Sequence, residues 1–592
     1  MSTLPAPPER LVTGPYREIT IPAVVLGVLL GALMTAAFVY IALKLGFSMP
    51  GSTVAAILGF GLLRGVLKNG TIVENNINQT IASGVNNASA GISFTLPALF
   101  ILSVDNPALA NFDPVPFILA AMAGTFMGVV IIIPLRKQMI EFERLRFPSG
   151  IAVAAILKSP GAGPRQAKLL MWGFLIATAF TVMIQGEVGL IPEELSLNHL
   201  IPSIPEYFPI ALSISFASIG AGLLSGMGGL PFVLGGILAW WVIAPIAVGA
   251  GWAADPGLGE VMAQDGWQAG SMYLTMLRPL GIGILVGGAL AGVVASFPAL
   301  KAAFKSLSVA ARSGAIGGNS NDEMSSRVLY IGLAASAVAL FVAAMLASDD
   351  VSVGQGIAMA VTGVVWLALA GLIVAQATGM TDISPLSGMA LIAVTLIFFI
   401  SSENITAAIL VGVAVCMGIG QCGDMMTDLK SGHLIGAIPK RQQLAQFALS
   451  WIGAPIAIGA VFLLWSSGPD GMNGFGTIES GLTAPQGQAL ASVIKSLSVG
   501  DVALEKYVGG AAIGAGLSVF PLGGIGVLVG LAMYLPLGVT LTYGLGCLVS
   551  IWLSRRKDNA WMGATLVPIA AGFIVGEALT NLGASLFRLA AG

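Results

Sequence analysis

Long apolar runs, each close to the length that crosses a bilayer, recur along the chain between short polar stretches. A helix needs about 20 apolar residues to pass through the hydrocarbon. Clear runs occupy residues 19–43, 115–134, 169–185, 230–249, 273–297, 329–346, 356–374, 386–400, 405–419 and 444–465. Weaker or interrupted ones occupy 51–67, 76–104, 210–224, three short stretches within 507–553, and the long run 561–587. The pattern predicts an all-α integral membrane protein, a polytopic helical bundle of about sixteen segments. Several pieces after Tyr507 are too short to cross alone, and such pieces persist at membrane depth only as re-entrant segments wrapped in protein.

Lys and Arg mark alternate loops. They gather at Arg10 and Arg17, at Arg64 and Lys68, from Arg136 to Lys168, from Lys301 to Arg327, at Lys430, Lys440 and Arg441, and at Arg555-Arg556-Lys557. Counting spans puts every group on one side, while the opposite loops carry Asp105, Asp113, Glu187, Glu193, Glu194, Asp255, Glu260, Asp349 and Asp350. The positive-inside rule then makes the N-terminus cytoplasmic, with the plasma (inner) membrane as the default location. Residues 1–18 are Pro-rich and polar, without the short apolar core of a signal peptide, and read as a cytoplasmic tail.

Composition sharpens this. Only 9% of the 592 residues are charged and 56% are apolar, whereas a water-facing surface needs roughly 25% charged residues. Lipid is therefore the main solvent. The net charge of −2 argues against a nucleic-acid partner, which requires a clustered basic surface. Cys416, Cys422 and Cys547 offer neither a disulfide framework nor metal-ligand spacing.

The chain also echoes itself at about half its length. Ile219-Gly-Ala-Gly-Leu-Leu224 returns as Ile513-Gly-Ala-Gly-Leu517, Gly228-Gly229-Leu230 as Gly523-Gly524-Ile525, and Gln79-Thr80 as Gln376 near Thr378. These matches predict two parallel repeated halves, 19–300 and 328–592, joined by a basic cytoplasmic linker, 301–327. Transporters built on repeats hold their substrate between them near the midplane.

The most informative polar stretch is 74–91, which opens a hydrophobic span with amides and hydroxyls. On a helix, Asn75, Asn78, Gln79 and Ser83 share one stripe, with Thr80 beside it. An amide in hydrocarbon without a partner costs several kcal/mol, so the stripe faces protein or a wet cavity. It is either a substrate-lining wall, to which Gln376 is added, or hydrogen-bonding glue between helices. Glu577 is the sole carboxylate in the last span and a candidate proton carrier, or else a structural acid held by a helix end or a basic residue. Glu74 is the second proton candidate, and Arg278 a candidate counter-charge. Asp424 and Asp428 are four apart, with Lys430 and His433 just beyond, at the cytoplasmic edge. They read as gating or packing residues, since one His without a second ligand cluster makes no metal site. No cofactor is implied beyond a proton gradient as driving force. His199 reads as solvated.

Several motifs resemble one family. Glu74-Asn-Asn-Ile-Asn-Gln-Thr-Ile-Ala-Ser83 is similar to the Asn-x-x-Gln-Thr signature of the oligopeptide transporter (OPT) family, which includes the yellow stripe-like metal-chelate transporters. Leu145-Arg-Phe-Pro-Ser-Gly150 resembles its Phe-Pro-Glu-Gly turn, and Ser384-Pro-Leu-Ser-Gly-Met389 its Pro-x-Ser-Gly-Met element. Gly423-Asp-Met-Met-Thr-Asp-Leu-Lys-Ser-Gly432, followed by Ile438-Pro-Lys-Arg-Gln-Gln443, resembles the Gly-Asp-x-x-x-Asp-Leu-Lys-x-Gly segment and its Arg-Gln-Gln sequel. Tyr534-Leu-Pro-Leu537 and Gly576-Glu577 also fit, and Ser149 departs from the family's Glu. The resemblance implies proton-coupled symport of short peptides or peptide-like metal chelates through a lipid bilayer, and leaves self-association open. Two other classes compete: a passive channel, and an intramembrane enzyme, for which the chain lacks a paired-His motif.

Overall fold

The computed structural model describes residues 17–47, 51–60, 62–63, 70–110, 112–158, 163–185, 190–198, 201, 208–252, 276–295, 322–381, 384, 386–468, 473–476, 480, 482–499, 504–518, 525–533, 535–558 and 561–591. Most of the tail 1–18 and of the linker 301–327, together with Arg64, Lys68, His199 and Tyr534, lie outside the described residues. Within them, eleven helical stretches are long and apolar enough to cross a membrane, accompanied by four shorter apolar helices. The only sheet among the described residues is a two-stranded antiparallel ribbon, β1 (Glu194–Ser196) and β2 (Ala211–Ser213), with Leu195 opposite Leu212. The protein is an all-α polytopic membrane protein.

The first half comprises α1 (Ile21–Leu45), α2 (Gly51–Phe60), α3 (Ile72–Ser93), α4 (Pro97–Asp105), α5 (Pro114–Ile132), α6 (Pro148–Lys158), α7 (Gly163–Gln185), α8 (Phe216–Ser225), α9 (Leu230–Ile237), α10 (Ala244–Gly249) and α11 (Arg278–Ala295). The second comprises α12 (Ser326–Ala347), α13 (Val353–Thr381), α14 (Leu386–Ile400), α15 (Ile405–Ile435), α16 (Pro439–Leu449), α17 (Gly453–Ser466), α18 (Pro485–Val499), α19 (Leu504–Leu517), α20 (Ile525–Met533), α21 (Leu537–Ser554) and α22 (Val567–Ala591). Polar caps start the spans: Thr20 Oγ1, Asp113 Oδ1 and Asn404 Oδ1 accept from the backbone N–H groups of Ala23, Val115 and Ala407. Each satisfies a donor that the first helical turn leaves unpaired.

Two expected boundaries move. The run 405–419 is only the first half of α15, which continues to Ile435 and carries 420–433 as buried helix. Falling hydropathy there reflects enclosure by protein, which tolerates polar side chains where lipid does not. The run 230–249 is likewise no isolated span but the second arm of a hairpin. At Gly226 the backbone turns to φ 51°, ψ −127°, a conformation that glycine alone adopts without strain. Gly222 packs against Tyr543, Gly226 beside Ser550, Gly229 against Cys547 and Gly236 against Thr540. The chain thus descends along α21 and climbs back.

The echo motif of the second half behaves similarly. Gly510 and Gly514 of α19 lie against Leu280 and Ile284 of α11, and Gly526 and Gly530 of α20 return past Gly288 and Gly281. Each hairpin therefore packs on a helix of the other half, and the second arms meet where Gly235 abuts Val529. Other close seams also run between halves: α5 on α15, α7 on α22, and α12 on α5. The division at 301–327 separates the sequence; in space the halves interleave.

Among the described residues, four of the basic groups are tied together. Glu18 accepts from the backbone N–H of Ile438 and pairs with Arg441 at 3.2 Å. The Lys440 N–H donates to the Asp322 carbonyl. Buried Arg136 pairs with Glu141 at 2.7 Å and Glu323 at 2.6 Å. These contacts join four of the charge clusters, as a single membrane face requires.

Candidate functional site

A capping box opens α3. Thr71 Oγ1 accepts from the Glu74 N–H at 3.2 Å, and Glu74 Oε2 accepts from the Thr71 N–H at 2.8 Å. Reciprocal capping of this kind satisfies two orphan donors, so the Glu74 carboxylate is occupied in starting the helix. Beyond it, every polar side chain from Asn75 to Ser93 is at most 5% exposed.

Part of the stripe is glue. Asn75 Nδ2 donates to the Ala56 carbonyl at 3.0 Å and Asn78 Nδ2 to the Ala55 carbonyl at 3.3 Å, tying α3 to α2. Gly59 makes this approach feasible, because a Cβ there would collide with Asn75 Oδ1 and Asn78 Nδ2. Asn87 Nδ2 donates to the Met417 carbonyl of α15. Gln79 Nε2 reaches Thr80 Oγ1 at 3.1 Å and Ser431 Oγ at 3.3 Å, while Gln442 Nε2 reaches Thr80 Oγ1 at 2.8 Å and the Asp428 carbonyl at 2.9 Å. Ser83 and Ser52 hydroxyls bond at 2.8 Å, and Ser52 donates to Asp428 Oδ1 at 3.0 Å. Gln79, Thr80, Ser83, Asp428 and Gln442 form one network, while Asn75 and Asn78 bond to each other and to α2.

The remainder of the stripe has no partner. Asn78 Oδ1, Gln79 Oε1, Asn86 Oδ1, Ser89 Oγ and Ser93 Oγ are buried without a hydrogen bond. From Gln79 the spacing is 7, 10 and 14, which keeps one face of the helix over about 21 Å at 1.5 Å per residue. On α15 and α16, Gln421 Oε1, Asp428 Oδ2, Gln442 Oε1 and both polar atoms of Gln446 are also unpartnered. Native proteins leave few such groups, and each needs a cause.

Other expected residues lie elsewhere. Gln376, on α13, donates to Glu143 Oε2 at 3.0 Å and makes no bond with the α3 network. Asp428 is 1% exposed, with no basic side chain within ion-pair distance among the described residues. Asp424 is half-buried one turn earlier. The buried Lys430 stem lies against Gly150, next to Ser149 at the start of α6.

Glu577 has a full set of partners. Its Oε1 pairs with Lys44 Nζ at 2.7 Å. Ser215 Oγ donates to the carboxylate at 3.0 Å, and the Ala217 N–H donates to Oε2 at 2.9 Å. Ser215 is the N-cap of α8, so the carboxylate also sits at the positive end of that helix. Asn581 Nδ2 donates to Tyr40 Oη, completing a link among α1, α8 and α22. This is the paired, helix-end arrangement named above as the structural alternative.

The profile of the OPT oligopeptide transporter protein family matches residues 18–588. The chain belongs to the OPT family. It is 26% identical to a Haemophilus influenzae protein named "Putative oligopeptide transporter", over 92% of this chain and 91% of that one. A Saccharomyces cerevisiae protein of the same description is 23% identical over 74% of this chain and 76% of its own. The OPT family consists of transporters, which removes the enzyme reading. In this OPT protein the sequence reading missed Gln442, Gln446 and Ser450, although their i, i+4, i+8 spacing is the rule that picked out Asn75 to Ser83. Lys44 carried a signal too, as a cation outside every basic cluster.

Proposed function

We propose that the chain is a secondary active transporter that carries short oligopeptides across the membrane together with protons. The unpartnered face of α3 carries this reading. Five buried polar groups without hydrogen bonds each cost about 1–3 kcal/mol, and helix packing alone gives no return for that. An extended peptide rises about 3.3 Å per residue, so roughly six residues match the length of the face, and its backbone supplies donors and acceptors throughout. A peptide-like metal chelate presents the same groups. Glu577 is the proton site in this scheme: a proton there weakens its hold on Lys44 and on the α8 terminus. The route to the stripe is α1, which packs along α3 at Gly27 and Gly31 and carries Lys44 in its last turn. Charge distribution supports a plasma or inner membrane location with a cytoplasmic N-terminus.

Purified protein in proteoliposomes, given tri- to hexapeptides or an iron-loaded chelate, tests it. Uptake saturates, rises with an inward proton gradient, and in Gln79→Ala shows a KM about tenfold higher, the loss of one hydrogen bond to a ligand. Unsaturable flux that ignores the proton gradient supports a passive channel and rejects the proposal.

A further inference from the structure

The buried network around Asp428 holds three idle acceptors against one idle donor, Asn76 Nδ2. Gln79 Oε1, Asp428 Oδ2 and Gln442 Oε1 are all acceptors without donors, and they belong to side chains linked through Thr80, Ser431, Ser52 and Ser83. Each of the three residues is at most 1% exposed. One acceptor is a carboxylate, and a carboxylate can only accept. Lys430, two residues on, points to another side of α15, because i and i+2 do not share a helix face. Asp424, at i−4, adds a second acid on the same side.

A site with an uncompensated anion and several idle acceptors suits a ligand group bearing positive charge and several N–H donors. A lone proton supplies one donor only. A primary ammonium supplies the charge and three donors. On a short peptide that group is the N-terminus. We propose that Asp428, with Gln79 and Gln442, receives the free α-ammonium group of the transported peptide. This rests on the peptide-transport reading and adds an orientation to it: the peptide enters with its N-terminus at the α3–α15–α16 junction and its backbone along α3 toward Ser93.

Binding to the purified protein by microscale thermophoresis tests it with trialanine, N-acetyl-trialanine and trialanine amide, in choline chloride and in sodium chloride. Acetylation removes the charge and two donors, and is expected to weaken binding about 30-fold, the scale of a charge-assisted hydrogen bond; amidation of the C-terminus changes it less than about threefold. Asp428→Asn brings trialanine down to the affinity of its acetylated form and leaves the latter unchanged. Equal binding of trialanine and N-acetyl-trialanine overturns the inference while peptide transport stands, and needs no variant to fold. Stabilisation by sodium that depends on Asp428, with no effect of acetylation, assigns the site to an inorganic cation instead. If no peptide binds, the functional reading falls and the ammonium site with it.

Discussion

Replacing Glu577 with glutamine removes the charge that Lys44 faces at 2.7 Å, where the two side chains are 5% and 13% exposed. Deleting one partner of a buried ion pair costs about 3–5 kcal/mol, because the other charge stays behind unpaired. Glutamine keeps an oxygen for the Ser215 hydroxyl and the Ala217 N–H, and Lys44 retains some solvent, so the lower end, about 3 kcal/mol, applies. Lys44→Met leaves Glu577 with the hydroxyl and the helix terminus. The double variant removes both charges and is expected to lose about 2 kcal/mol less than the two single losses summed, within the usual range for contacting residues. Reversible unfolding in mixed dodecyl maltoside and sodium dodecyl sulfate micelles measures this cycle. Transport gives the second readout: Glu577→Gln retains exchange of internal for external peptide but loses accumulation driven by a proton gradient. Additivity within about 0.5 kcal/mol refutes the energetic coupling. Unchanged uphill accumulation takes Glu577 out of the proton path.

Gly128→Leu is expected to unfold the protein in mild detergent several degrees earlier, because a side chain there meets the Gly418 carbonyl and Gln421 Cβ across the α5–α15 seam, and overpacking costs about 1–3 kcal/mol. Gly459→Leu, with nothing within 4 Å of its added carbon, is the control in the same thermal melt. At Glu18, outside the spans, burial raises the carboxyl pKa above its ordinary 4.5, with Arg441 opposing. A raised folded-state value means that stability is fully present below about 4.5 and declines as pH climbs through the folded value. Glu18→Gln flattens that decline in a pH series of melts, and an identical slope in both proteins refutes it.

The helical membrane class, most spans and the family were legible in the chain because lipid imposes a local rule: each segment must satisfy its own backbone and show apolar side chains. The buried polar stripe was legible for the same reason, since residues at i, i+3, i+4 and i+8 share a face whatever surrounds them. The inverse inference failed at 405–419, where dropping hydropathy was read as the membrane edge. A polar segment enclosed by other helices and one reaching water look alike in sequence, and only packing tells them apart. The reversal at Gly226–Gly229 was hidden too, because an apolar hairpin and an apolar span share the same hydropathy.

What the sequence determined alone is which side chains are polar at membrane depth, and where they repeat. What tertiary structure decided is their partners. Glu577 looked isolated along its own helix, yet Lys44 stands 533 positions away and reaches it through the packing of α1 on α22. Asp428 has Lys430 only two residues away in the chain, yet helix geometry turns that lysine aside and leaves the acid among amides and hydroxyls. Hydrogen bonds and ion pairs act over about 3 Å, a distance that sequence separation does not measure, so the chemistry of each acid was fixed only when the helices came together.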